Sequence, residues 1–146
     1  MATVHDVAAY ILSKQGEMTT MKLEKLLYYC QGWSLAWDGV PLFEDELQAW
    51  ANGPVCYATF RKHKGHFTVA SWPSGNPDAL TADGKETVDA VLDAYGSLSG
   101  QQLSDKTHHE RPWLEARGDT KPGEPCRMPL SLDTMQDYFG GLDQLS

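Results

Sequence analysis

Cysteine is scarce in this sequence and poorly placed for cross-linking. The three present, Cys30, Cys56 and Cys126, are odd in number and far apart, and none sits in a Cys-x-x-Cys pair. That usage argues against a disulfide framework and for a reducing compartment. Long hydrophobic runs are missing: no stretch approaches the roughly 20 residues that a membrane helix requires. The opening Met-Ala-Thr-Val-His-Asp has no basic stretch followed by an apolar one, so the expectation is a cytoplasmic protein without a signal peptide and without a membrane role. Positive charge is in short supply. Twelve Lys/Arg face 20 Asp/Glu, a net charge of -8. Residues 1–70 carry 6 basic and 7 acidic residues (-1), and residues 71–146 carry 6 and 13 (-7). Such a surface repels phosphate backbones, so direct nucleic-acid binding is not expected. Also missing are a Gly-rich phosphate loop, a GxSxG nucleophile elbow, an HExxH helix and an EF-hand loop. No catalytic constellation, cofactor or metal site is therefore expected.

What is present reads as a helical protein. The 146 residues, 41% hydrophobic and 22% charged, fit one domain over residues 1–146. Thr3, with Asp6 three residues on, caps a helix that ends near Gly16. Residues 21–38 form the strongest helix. Leu23, Leu26, Leu27, Cys30, Trp33 and Trp37 follow helical spacing and make one apolar stripe, while Tyr28 and Leu35 fall on the other side beside Glu24 and Gln31. A helix apolar on more than one side implies several neighbours. Residues 46–50, ending in Trp50, alternate like a strand, and Asn52-Gly53-Pro54 reads as a turn, with Pro54 opening a helix from Val55 to about Lys64. Residues 67–72 read as a second strand, paired with the first. Thr81 caps a fourth helix to Tyr95, Ser99 with Gln102 forms a capping box for a fifth, Pro112-Trp113 opens another helical turn, and Ser131 caps a last helix ended by Gly140-Gly141. The predicted fold is mainly α, about six helices with a small antiparallel β-hairpin.

Few residues stand out as chemistry. His63 and His66, with Cys56, could be half a metal site, but Cys56 has no neighbouring cysteine and Gly65 breaks the helix; a solvated basic helix end is the plainer reading. His108 precedes Pro112-Trp113 without a visible nucleophile, which favours packing of His108 on Trp113 over catalysis. Glu86, Asp89 and Asp93 lie opposite the apolar stripe of the fourth helix. Their acidity serves solubility or steers a basic partner. Tyr28 and Leu35, on the minor face of the second helix, are the candidate apolar anchors for that partner.

The ordered motifs carry more. The run from Met21 to Ala36, MKLEKLLYYCQGWSLA, resembles the KLxKLLYYxQGWxLA signature of Panacea antitoxin domains (the SocA-like family), with Leu23, Leu27, Trp33 and Trp37 in and beside it. Pro41-Leu42-Phe43, then Leu47 to Trp50, then Gly53-Pro54-Val55 is similar to the family's PLF…EAWxxGPV. Leu80-Thr81 with Tyr95-Gly96, and Leu103-Ser104 with Thr107-His108-x-Glu110-x-Pro112-Trp113, match further pieces in order. Cys30, Ser34 and Arg111 depart from the usual residues, and residues 118–129 do not align. The resemblance implies an antitoxin encoded beside its toxin, neutralising that toxin by direct binding or, in one branch, delivering it to a cytosolic protease. It supplies no catalytic residues. An enzyme with an unrecognised site near His108 is the remaining alternative.

Overall fold

Thr3 opens the first helix with a reciprocal capping box: its side chain accepts from Asp6 N while its own N–H donates to the Asp6 carboxylate. The computed structural model describes residues 1–142 and residue 145. The elements run α1 (Val4–Gln15), β1 (Met18–Thr19), α2 (Thr20–Asp38), β2 (Leu47–Trp50), β3 (Gly53–Cys56), α3 (Tyr57–His63), β4 (Thr68–Val69), a 3-10 turn (Pro77–Ala79), α4 (Ala82–Tyr95), α5 (Gly100–Thr107), α6 (Arg111–Arg117) and α7 (Leu132–Gly140). The fold is mainly α, with two small antiparallel sheets in place of the single hairpin expected.

Helix α2 is the axis of the molecule. Thr19 caps it by accepting from Lys22 N, and Gly39 ends it in the left-handed region at φ 70°, a conformation that glycine adopts without a Cβ penalty. Every residue from Leu23 to Leu35 is buried, because α7, α5, α4, α1 and β3 pack around it. The aromatic centre is dense. Tyr29 stacks on Tyr95 at 4.3 Å, and Phe139 of α7 meets Tyr28, Tyr29 and Trp33 edge-on. The Phe139 ring lies directly against Gly32, where a Cβ would overlap its edge atoms. Gly32→Ala should therefore destabilise the fold. The overpacking costs about 1–3 kcal/mol, set against the roughly 1 kcal/mol that Ala gains over Gly in a helix. Urea melts of the variant test this, and stability equal to the parent would mean that the ring moves aside freely.

The strand pairing differs from the sequence expectation. Residues 47–50 pair with residues 53–56, with Trp50 opposite Gly53, and Thr68–Val69 pairs instead with Met18–Thr19. A two-residue connection closes a hairpin at lower entropy cost than pairing with a strand much further along the chain. Gly53, at φ 116°, permits the turn. A Cβ there would also sit 2.6 Å from Lys25 Cε and 2.7 Å from Thr107 Oγ1. Pro54 is accordingly a strand residue and not a helix start. Helix α3 begins at Tyr57, where the Glu24 carboxylate of α2 binds Cys56 N at 2.9 Å. The segment that resists motif alignment also has a place: Ala49 N donates to Met128 O and Leu130 N to Leu47 O, so the loop after α6 returns along the open edge of β2.

Candidate protein-binding site

The polar residues of α2 are its least expected feature, because they point into the protein. Glu24 is buried and fully engaged: Oε1 accepts from Cys56 N, and Oε2 accepts from Thr59 Oγ1 at 2.7 Å and lies 2.7 Å from His63 Nε2. His63 is thus a buried partner of a carboxylate, not the solvated helix end expected from sequence. Among the described residues no group of three His, Cys, Asp or Glu is arranged to hold a metal. Lys25 donates to Pro54 O at 3.0 Å, and burial pulls its ammonium down to about 8 while neighbouring Glu24 opposes that shift. Gln31 clamps the loop after α2, accepting from Leu42 N and donating to Phe43 O. Glu110 receives the hydroxyls of Tyr28 and Tyr29 at 2.9 and 3.1 Å, and burial raises its carboxyl to about 7. The sequence places Glu24 and Gln31 beside Tyr28 and Leu35 but assigns them no buried partners. The available signal was the apolar residues on both sides of them, since a helix surrounded by neighbours must bury its polar residues too.

His108 stacks on Trp113 at 4.3 Å, and its Nε2 is buried without a hydrogen-bond partner among the described residues. Trp113 donates to Trp50 O at 2.8 Å, and Pro112 sits in the first turn of α6. Beside them Arg117, also buried, donates to the carbonyls of Ala49, Lys121 and Glu124 and so shapes the returning loop. These residues build the junction of α5, α6 and the β2–β3 hairpin.

The proposed anchors Tyr28 and Leu35 must be corrected. Both are buried, at 0% and 3% exposure; Phe139 of α7 packs edge-on against Tyr28, and Glu110 accepts its hydroxyl. Trp37 is the opposite correction. Expected in the core stripe, it is 46% exposed, in the last turn of α2 at the mouth of an open cleft that it shares with Asp83, Glu86, Thr87 and Ala90 of α4. One side of its indole rests on Trp33, ring centres 5.0 Å apart. Leu23, Leu27 and Trp33 are buried as the stripe requires.

Trp37 borders two adjoining clefts. One, of about 510 Å³, is lined by Trp37, Asp38, Asp83, Glu86, Thr87 and Ala90. The other, of about 650 Å³, extends past Val40 and Pro41 to Leu80 and Asp83. The loop that walls the second is held by Gln31 and by Ser34 Oγ donating to Val40 O. Helix α4 is positioned by Thr81, which accepts from Gly84 N, and by the buried Val88, Val91, Leu92 and Tyr95. Its opposite face exposes Glu86, Asp89 and Asp93. Asp89 accepts from Tyr10 OH at 2.8 Å, and no Lys or Arg among the described residues forms an ion pair with Asp83, Glu86, Asp89 or Asp93. The result is an aromatic platform with a carboxylate rim.

No helix among the described residues is long and apolar enough to cross a membrane. No curated protein and no solved structure matches the chain. A family profile does: "Antitoxin SocA-like, Panacea domain" matches residues 23–114, from the start of the buried run of α2 through the Pro112-Trp113 turn. Covering well over half of the sequence, that match means that the chain belongs to the SocA-like antitoxin family of Panacea domains.

Proposed function

We propose that this protein is an antitoxin that neutralises a cognate toxin protein by direct binding, without catalysis, and that the toxin seats on Trp37 within the acidic rim of α4. The observation that carries the reading is the half-exposed indole of Trp37 beside unpaired carboxylates in a domain of an antitoxin family. A partly exposed Trp supplies the apolar anchor that protein interfaces concentrate their energy on. The carboxylates steer a basic partner during encounter. Non-enzymatic action is supported by the packing of His108, whose ring is committed to Trp113.

Stopped-flow association with the toxin encoded alongside tests both parts. Trp37→Ala should weaken binding by about 2 kcal/mol, roughly 30-fold, mainly through faster dissociation. Reversing Glu86, Asp89 and Asp93 to Lys should slow association and flatten its salt dependence, because exposed charges act over about 8–10 Å near physiological ionic strength. An on-rate indifferent to salt and to the triple reversal would leave the acidity a matter of solubility. A Trp37→Ala variant that binds like the parent would remove the cleft from the interface. The fate of the bound toxin separates the two antitoxin modes: it persists as a complex under direct neutralisation and is lost faster under delivery to a cytosolic protease.

A further inference from the structure

The other end of α2 carries a surface of opposite character. Residues 47–77 contain no Asp or Glu, in a chain with 20 of them, and include Arg61, Lys62 and Lys64. The aromatic rings of this stretch cluster at its surface: Trp50 meets Phe60 edge-on at 4.7 Å, and Tyr57 lies 6.1 Å from Phe60. Two guanidinium groups cover them. Arg127, carried in by the returning loop, sits 5.5 Å from the Trp50 ring and 5.4 Å from that of Tyr57, and Arg61 sits 5.9 Å from Tyr57. Neither arginine, nor Lys62 or Lys64, forms an ion pair among the described residues. Beside the rings opens a groove of about 300 Å³, walled by Met21, Trp50, Val55 and Phe60, with buried Lys25 also lining it. The Lys25 ammonium has three protons and, among the described residues, one acceptor, Pro54 O. The carboxylate nearest to it in sequence, Glu24, is already occupied by Cys56, Thr59 and His63.

We infer that this face is a second protein-docking site, which takes an acidic peptide segment: one apolar side chain enters the groove against Trp50 and Phe60, and flanking carboxylates pair with Arg61 and Arg127. Charge complementarity selects that occupant. A guanidinium stacked on a ring keeps its N–H edge available for a carboxylate fork, and desolvation against aromatic rings strengthens the pair. The groove has room for one large side chain, not for a folded surface. Nucleic acid would also find rings and cations here, but Met21 and Val55 give the groove aliphatic walls that suit an apolar side chain better than a hydrogen-bonding base. The site is separate from the Trp37 cleft. Lys25 and Trp37 are twelve residues apart on one helix, about 18 Å along its axis.

The experiment is fluorescence anisotropy with a short labelled peptide of Glu and Asp flanking a single Phe, set beside the same peptide with Gln and Asn for the acids and a labelled oligothymidylate of equal charge. The acidic peptide should bind, and the double variant Arg61→Glu/Arg127→Glu should weaken it by at least about tenfold. Both arginines are exposed, so melting curves should be unchanged. Glu86→Lys, in the opposite cleft, should leave peptide binding as it was, which separates this site from the toxin reading above. Four results would each overturn the inference. They are no binding at about millimolar peptide, equal binding of the neutral Gln/Asn peptide, preference for the oligonucleotide, and self-association of the chain in sedimentation that the double reversal abolishes.

Discussion

Glu24→Ala should cost the fold about 3–5 kcal/mol, because it strands several buried polar groups that each cost about 1–3 kcal/mol when left unsatisfied. The carboxylate joins three elements at once. It starts α3 through Cys56 N, holds the Thr59 hydroxyl, and faces His63 Nε2 at 2.7 Å. Alanine leaves an amide and an imidazole buried without partners, and it removes the carboxylate next to the Lys25 ammonium. Burying such groups unpaired is more costly than the net gain from any one of the bonds. Glu24→Gln is the informative companion. Its amide oxygen keeps an acceptor for Cys56 N, so it should cost less than alanine. Urea denaturation of the two variants measures the difference. A loss below about 1 kcal/mol for Glu24→Ala would show that solvent reaches the pair and that α3 does not depend on it.

The second large effect depends on pH and centres on Glu110. Burial lifts its carboxyl from 4.5 to about 7, against the hydroxyls of Tyr28 and Tyr29, which favour the ionised form. The folded protein therefore binds more protons than the unfolded chain between about pH 4.5 and 7, and the stability from this group falls as pH rises through that window. A shift of that size corresponds to about 3 kcal/mol, fully present below the unfolded value and lost above the folded one. Glu110→Gln removes the ionisable group while leaving a side chain that can still bond both tyrosines. The difference in unfolding free energy between parent and variant should then change by about 3 kcal/mol from pH 4.5 to pH 8. Parallel pH profiles for the two proteins would refute the assignment, since other titrating groups contribute equally to both.

Local signals were read correctly wherever a neighbour in the chain completes the interaction. Thr3, Thr81, Ser99 and Ser131 each accept from a backbone N–H three residues on in the helix they precede. These starts were visible because a cap bond closes within one turn. His108 on Trp113 was readable for the same reason, the two lying a few residues apart across one helix junction. The β pairing differs from the sequence expectation at the same short range, because Pro54 lies in β3 and does not open a helix. Proline suits the start of a helix and the edge of a small sheet alike, and the neighbouring Gly53, with its positive φ and its contact with Lys25, decided for the hairpin.

The placement of the binding surfaces was not local. Tyr28 and Leu35 have the same helical spacing whether α2 is half bare or wrapped, and packing from distant parts of the chain, with Phe139 of α7 on Tyr28, buries them. Trp37 lies on the stripe by angle, but the facing residues of α4 leave an open cleft beside it. Arg127 and Trp50 are brought together by a loop that no motif aligns, held by carbonyl bonds to Arg117. Most helix starts and the burial of Leu23, Leu27 and Trp33 are legible in the sequence because periodicity and capping are written within a few turns of chain, and the family is legible in motifs that recur in order from Met21 to Trp113. The tertiary structure alone decided which polar residues of α2 went inside and which aromatic rings stayed out, because burial is set by what packs across a helix from distant parts of the chain.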